Sequence, residues 1–259
     1  MCPPPRPVRS ARQNRDAALT ERPDSASSIR TRFLELLSER IVVIDGAGGT
    51  AFQERDLSND DFGGEDLAGC NEYLVRTRPD VVRDVHDAYL AAGADCIETN
   101  TFGGTPLVLA EYELGDQAEE LNRIAAEIAR QAVDAIATPD RPRFVLGSMG
   151  PTTRTLTVTG GVTFAELREH YRVQARGLLL GGSDVLLLET IQDTSNAKTG
   201  YLGILDAFKD TGIERPIALS ATIEPMGTML AGQTIEAFYA SVEHMAPLFI
   251  GMNCATGPR

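Results

Sequence analysis

Asp184-Val185-Leu186-Leu187-Leu188-Glu189-Thr190 is an unbroken apolar run closed by a carboxylate and a hydroxyl. A strand with one face in water alternates apolar and polar residues. This run does not alternate, so both of its faces are covered, as in a parallel sheet packed between layers. Working outward, the same design recurs in Ile41-Val42-Val43-Ile44-Asp45, in Asp95 to Phe102, in Arg143 to Ser148, in Pro216 to Thr222 and in Leu248 to Asn253. Helical spacing fills the intervals. Ile29, Phe33, Leu36 and Leu37 predict a lead-in helix over 29–40, and Pro79 opens one over 79–92 carrying Val81, Val82, Val85, Tyr89 and Leu90. Further helices are expected over 116–137, 163–181, 193–210 and 234–243. The helix over 163–181 is announced by Thr163 as N-cap with Glu166 three residues on.

Six strands alternating with helices define an α/β protein with a parallel sheet. A doubly wound sheet and a (β/α)8 TIM barrel both satisfy the pattern. The strand ends favour the barrel: Asp45, Asn100-Thr101, Ser148, Glu189, Thr222 and Asn253-Cys254 each close a strand with a residue suited to chemistry. Barrel enzymes draw their sites from the C-terminal ends of many strands, whereas a doubly wound sheet uses one switch point. Six β/α units of the eight can be counted, so an incomplete barrel is expected.

Composition narrows the function. The chain has 259 residues, 42% of them apolar, and a formal net charge of −13. Residues 1–40 carry +3 and the remainder −16. A body this acidic repels phosphate backbones, which argues against nucleic acid as a partner. No apolar run approaches the length of a membrane span. Met1-Cys2-Pro3-Pro4-Pro5-Arg6 lacks the apolar core of a secretory signal, so a cytoplasmic protein is expected. Residues 1–28, rich in Pro, Arg, Ser and Asp without periodicity, read as a disordered basic extension. The cysteines, Cys2, Cys70, Cys96 and Cys254, are scattered without a CxxC pair, which argues against disulfides. His86, His170 and His244 fall in helical stretches, where a surface role is expected.

Three motifs carry chemistry, each with a plainer alternative. Gly46-Ala47-Gly48-Gly49-Thr50-Ala51 matches G-x-G-x-x-A, but Asp45 would face a pyrophosphate and no acid follows at the ribose-binding distance. The other readings are a tight turn that lets a small substrate approach Asp45, and a structural loop. Glu189 closes a Leu run, where a charge is costly without a partner. It is either a solvated strand end or a seat for a substrate ammonium group. Cys254, after Phe249-Ile250-Gly251-Met252-Asn253, is either a small buried hydrophobe or a thiolate delivered to the end of the sheet. Catalytic zinc takes three protein ligands, and no spacing among the other cysteines supplies them.

Taken together, the motifs resemble a known family. Asp45-Gly46-Ala47-Gly48-Gly49-Thr50 is similar to the opening strand-loop of homocysteine S-methyltransferase domains, with Gly48 where the family usually carries Met. Ile97 to Phe102, Gly147 to Thr152, Leu188-Glu189-Thr190 and Gly251-Met252-Asn253-Cys254 look like further strands of that family. Gly69-Cys70-Asn71-Glu72, Asp193 to Lys198 and Ser220 to Tyr239 resemble most closely the N-terminal homocysteine-binding module of cobalamin-dependent methionine synthases.

The resemblance implies a (β/α)8 barrel over 29–259, ending short of the family's last strands. It implies homocysteine as ligand, with Asp45, Gly46, Asn100, Thr101, Glu189 and Asn253 around it. It implies zinc with Cys254 as one ligand, the other two coming from a later Gly-Gly-Cys-Cys motif that this sequence lacks. Zinc would make the homocysteine thiolate available at neutral pH. Methylcobalamin and methyltetrahydrofolate would bind on other modules, on the same or a separate chain. The alternatives are a relative using betaine or S-methylmethionine as donor, against which Asp193 to Lys198 argues, and a non-catalytic remnant. A six-stranded piece would leave two sheet edges unpaired, a hazard for aggregation.

Overall fold

The computed structural model of the chain describes residues 25–255. Seven helices and five strands organise it: α1 Ala26–Glu39, α2 Gly48–Gln53, α3 Pro79–Ala92, β1 Cys96–Glu98, α4 Ala118–Ile136, β2 Phe144–Met149, α5 Phe164–Gly181, β3 Val185–Ile191, α6 Thr194–Thr211, β4 Ile217–Ala221, α7 Ile235–Val242 and β5 Ile250–Met252. Short single-turn helices fill some of the loops, at Leu74–Thr77 and Pro106–Leu109 among others.

The strands are all parallel and lie in the order β1-β2-β3-β4-β5. Each strand therefore pairs with the next one in sequence. A doubly wound sheet would instead reverse its order at a switch point. Sequential order is that of a barrel wall, here an open half-barrel.

Two expectations are corrected at the N-terminal side. The helix begins at Ala26, so residues 26–28 are helical and not part of a disordered extension; residues 1–24 lie outside the described residues. The cause is local, because the Ser25 hydroxyl accepts the Ser28 N–H at 3.2 Å and caps the first turn. The first expected strand, Ile41 to Asp45, is reduced to one parallel bridge between Ile44 and Cys96. Asp45 donates its N–H to the Cys96 carbonyl at 3.0 Å, and Cys96 donates to the Val43 carbonyl at 3.1 Å. This stretch occupies the first position of the wall but forms one edge of it, with Ile41 84% exposed. The other edge is β5, where Met252 is 62% exposed.

The apolar runs split by alternation once folded. Cys96, Phe144, Leu146, Val185, Leu187 and Ala218 pack on the concave side against Ile29, Phe33 and Leu36 of α1. Phe33 meets Phe144 edge-on, with ring centroids 5.3 Å apart. The intervening residues, Ile97 and Val145 nearest α4 and Leu186, Leu188 and Leu219 nearest α5 and α6, face the outer helices. By the same period of two, the next concave-side residues above Cys96, Leu146, Leu187 and Ala218 are Glu98, Ser148, Glu189 and Ser220. The concave side is apolar below and polar at the C-terminal ends.

Outside, α4 and α5 approach closely at two glycines. A Cβ on Gly177 would stand 2.3 Å from the Glu119 carbonyl oxygen, and one on Gly181 2.4 Å from that of Arg123. The capping box read at Thr163 is present, with reciprocal bonds of 3.3 and 2.8 Å to Glu166. Among the described residues no helix is long and apolar enough to cross a membrane.

His86 departs from its expected surface position. It lies on α3 four residues after Val82, on the stripe that faces inward, and is 3% exposed. Neither ring nitrogen has a hydrogen-bond partner. Burial lowers its pKa from 6.5 to about 4. The folded state thus disfavours the imidazolium, so His86 leaves stability intact above pH 6.5 and removes it as pH falls towards 4. In urea unfolding, His86→Leu should gain on the wild type by about 3 kcal/mol between pH 7 and pH 4. A pH-independent difference between the two proteins would contradict this.

Candidate functional site

The C-terminal strand ends surround a cavity of about 290 Å³. Asp45 and Gly46 reach it from the first wall position, Glu98 to Phe102 from the end of β1, Ser148 from β2, Glu189 from β3 and Cys254 from the turn after β5. The Gly46-Ala47-Gly48-Gly49 loop closes one side. Ala47 is left-handed there (φ 47°) and a Cβ at any of the three glycines would meet open space, so the loop keeps the cavity wide. Phe52, Val85, His86 and Tyr89 form the apolar end.

Four carboxyl groups line the cavity, Asp45, Glu72, Glu98 and Glu189, and three of them, Asp45, Glu98 and Glu189, act on one another. Asp45 Oδ1 accepts the Glu98 N–H at 2.9 Å. Burial, opposed by that hydrogen bond and reinforced by the charge of Glu189, raises the Asp45 pKa to about 7. Burial, then the charges of Glu189 and Asp45, holds Glu98 well above the ordinary carboxylate range. Glu189 is 7% exposed and also raised by burial, against the pull of hydrogen bonds from Ser148 and Thr190. The Ser148 hydroxyl donates to its Oε1. No lysine or arginine is among the described residues that line the cavity.

Glu189 and Cys254 are set by a hub behind the wall, Asn253. Its Oδ1 accepts the Thr190 N–H at 3.1 Å and the Ser220 hydroxyl at 2.8 Å. Those two donors fix the amide orientation, which turns Nδ2 towards Thr190 Oγ1 at 2.8 Å, Cys254 Sγ at 3.3 Å and Glu189 Oε2 at 3.4 Å. The β3–β4 register shifts between Leu188 and Ile191, and Thr190 in that bulge is left-handed at φ 53°. A β-branched residue there is strained. The strain coincides with the contact between the Thr190 hydroxyl and Cys254 Sγ, 3.7 Å apart. Cys254 itself is exposed and left-handed at φ 66°.

The candidate residues read from the sequence are thus gathered at one place, with distinctions. Asp45, Gly46, Asn100, Thr101, Glu189 and Cys254 line the cavity; Asn253 stands behind it. Thr101 is 2% exposed and its hydroxyl donates to the Ser148 carbonyl at 2.7 Å, so it braces β1 against β2. Asn100 donates its amide to the Asn71 carbonyl at 2.7 Å. Glu98, Glu72 and His86 were missed. Glu98 closes an apolar run as Glu189 does, and that was its signal. Glu72, held by the Gly103 N–H at 2.7 Å, had as its signal only its place in the stretch Gly69 to Glu72 that carries the family resemblance.

As a metal centre the set is incomplete. Cys70 is buried beside Phe52 and Leu74, and Cys96 opens β1 at the far end of the sheet from Cys254. Among the described residues no group of three His, Cys, Asp or Glu is arranged to hold a metal ion.

Comparison with known proteins places these features. The family model described as homocysteine S-methyltransferase matches residues 42–259. The methionine synthase of Mycobacterium tuberculosis is 45% identical over 228 residues, covering 88% of this chain and 19% of the relative. That of Mycobacterium leprae is 44% identical over the same length. The chain thus spans about a fifth of the length of these relatives. Among solved structures, the metallated form of the homocysteine methyltransferase MmuM from Escherichia coli superposes with a TM-score of 0.70 at 23% identity, covering 85% of this chain and 77% of that one. At that identity the likeness extends to the fold.

Proposed function

This chain belongs to the homocysteine S-methyltransferase family, and from that premise we propose that it is the homocysteine-binding module of a methionine synthase acting in the cytoplasm. The observation that carries the reading is the convergence of Asp45, Glu189 and Cys254 on one cavity lined by no lysine or arginine among the described residues. A buried carboxyl pair without a protein cation suits a primary ammonium group, which brings positive charge and N–H donors together. The same ligand's thiol then extends towards Cys254. Asn253 holds the carboxylate and the sulfur in fixed relation through a single amide, and such positioning lowers the cost of reaching the reactive geometry.

Zinc would deprotonate the bound thiol. The residues described here do not complete a site for it: Cys254 is one thiol where catalytic zinc takes three protein ligands. No step is therefore assigned to the metal on this chain. In this reading methylcobalamin and methyltetrahydrofolate are supplied by other methionine synthase modules.

Isothermal titration of the chain with L-homocysteine tests the reading. One site per chain is expected. Absence of binding would favour a non-catalytic remnant, and methionine formation from betaine or S-methylmethionine would replace the proposed donor.

A further inference from the structure

Three carboxyl groups are more than one ammonium ion neutralises. Asp45 and Glu189 are each hydrogen-bonded, the first to the Glu98 N–H and the second to Ser148 and Asn253. The Glu98 carboxyl differs. It stands on the concave side one step above Cys96, lines the same cavity, and accepts no hydrogen bond from any described residue. The titratable groups around it are Asp45 and Glu189 on the neighbouring wall, Glu72 and Cys254 on the loops, and His86 and Tyr89 on α3. None is a lysine or arginine, and His86 is neutral because burial holds its pKa near 4.

We propose that Glu98 is a third seat for the ammonium group of the amino-acid ligand, and that it holds a proton while the cavity is empty and releases it when the ammonium arrives. The inference rests on the proposed function. Asp45 and Glu189 already bring negative charge to the cavity, and a further charge on Glu98 without a cation is opposed by burial and by both of them. A primary ammonium offers three N–H donors, one for each carboxyl. The proton balance is one for one: the Glu98 O–H breaks, its proton goes to solvent, and the ammonium keeps all its hydrogens while taking the vacated interaction. Binding is therefore proton-linked independently of any thiol chemistry.

L-methionine isolates this effect, because it carries the same ammonium and carboxylate without an acidic thiol. Titration calorimetry at pH 7 in phosphate and in Tris reads the protons released per ligand. The wild-type chain should release at least about one, and its affinity should rise at least about tenfold per pH unit from 6 to 8. Glu98→Gln should release about one proton fewer than the wild type and its affinity should rise less steeply with pH, the remainder coming from Asp45, whose pKa burial raises to about 7, and Glu98→Asp should restore the difference. In the wild type, an infrared difference spectrum should show loss of a protonated-carboxyl C=O stretch when methionine is added. No proton release by the wild type, undiminished release by Glu98→Gln, or an unchanged carboxyl band would each overturn the proposal while leaving homocysteine binding in place. Failure of the wild type to bind either amino acid would remove the proposed function and this inference with it.

Discussion

Glu189→Gln is expected to weaken L-homocysteine binding by roughly thirtyfold, about 2 kcal/mol, while leaving the fold as stable or more so. The substitution keeps the shape and one acceptor for the Ser148 hydroxyl. It removes the negative charge that the ligand ammonium meets, and it turns an N–H₂ group towards Asn253 Nδ2, which now donates to Glu189 at 3.4 Å. The stability arm follows from linkage. Burial raises the Glu189 pKa in the folded state, so its contribution is favourable below the unfolded pKa and is lost as pH rises. At pH 7, above the unfolded pKa, the buried carboxyl is therefore a cost that glutamine lacks. Lost affinity with retained or increased stability, read by calorimetry and urea unfolding on the same samples, is the signature of a site residue held against its own preference. Lost stability alongside lost affinity would instead make Glu189 a structural residue.

Asp95→Ala carries the largest expected stability loss, about 3–5 kcal/mol. Asp95 is 1% exposed at the base of the sheet. It accepts from Arg40 Nη2 at 2.7 Å and from the Val43 N–H at 3.0 Å, and it pairs with Arg143, whose side chain is 2% exposed. One carboxylate thereby ties the end of α1, the first wall position and the start of β2. Its removal leaves the Arg143 guanidinium buried without its counter-ion. Arg40, with a 41% exposed side chain, is the internal control: Arg40→Ala should cost no more than about 1 kcal/mol, as exposed pairs do. Since a domain of this kind is stable by about 5–15 kcal/mol in all, the Asp95 variant should show a clearly lower urea midpoint. Equal losses from the two substitutions would contradict the assignment.

Much of this was legible in the residues, for identifiable reasons. Val185 to Leu188 announces a strand covered on both faces because no water-facing position interrupts it, and Asp45 and Glu189 stand out because charges end apolar runs. Alternation between the concave and convex sides was not legible there, since both sides are apolar. Glu98 was passed over because the stretch Asp95 to Phe102 reads as one strand ending at Asn100-Thr101. The chain turns earlier, with the Thr101 N–H bonded to the Thr99 carbonyl at 2.8 Å, and so β1 ends on Glu98. The contact of Thr190 with Cys254 depends on a bulge and a left-handed threonine, neither of which leaves a local sequence signal. The first strand was over-read because Ile41 to Asp45 has the composition of a buried strand, yet it sits at an open edge with a partner on one side only.

The central claim is that the carboxyl-lined cavity captures an amino-acid thiol by its ammonium group. The most direct test is calorimetric titration of the wild-type chain with L-homocysteine and with 4-mercaptobutanoate, which has the same thiol and carboxylate but no amino group. The account predicts that homocysteine binds and that the deaminated compound binds at least about thirtyfold more weakly. Equal affinity for the two compounds would contradict it.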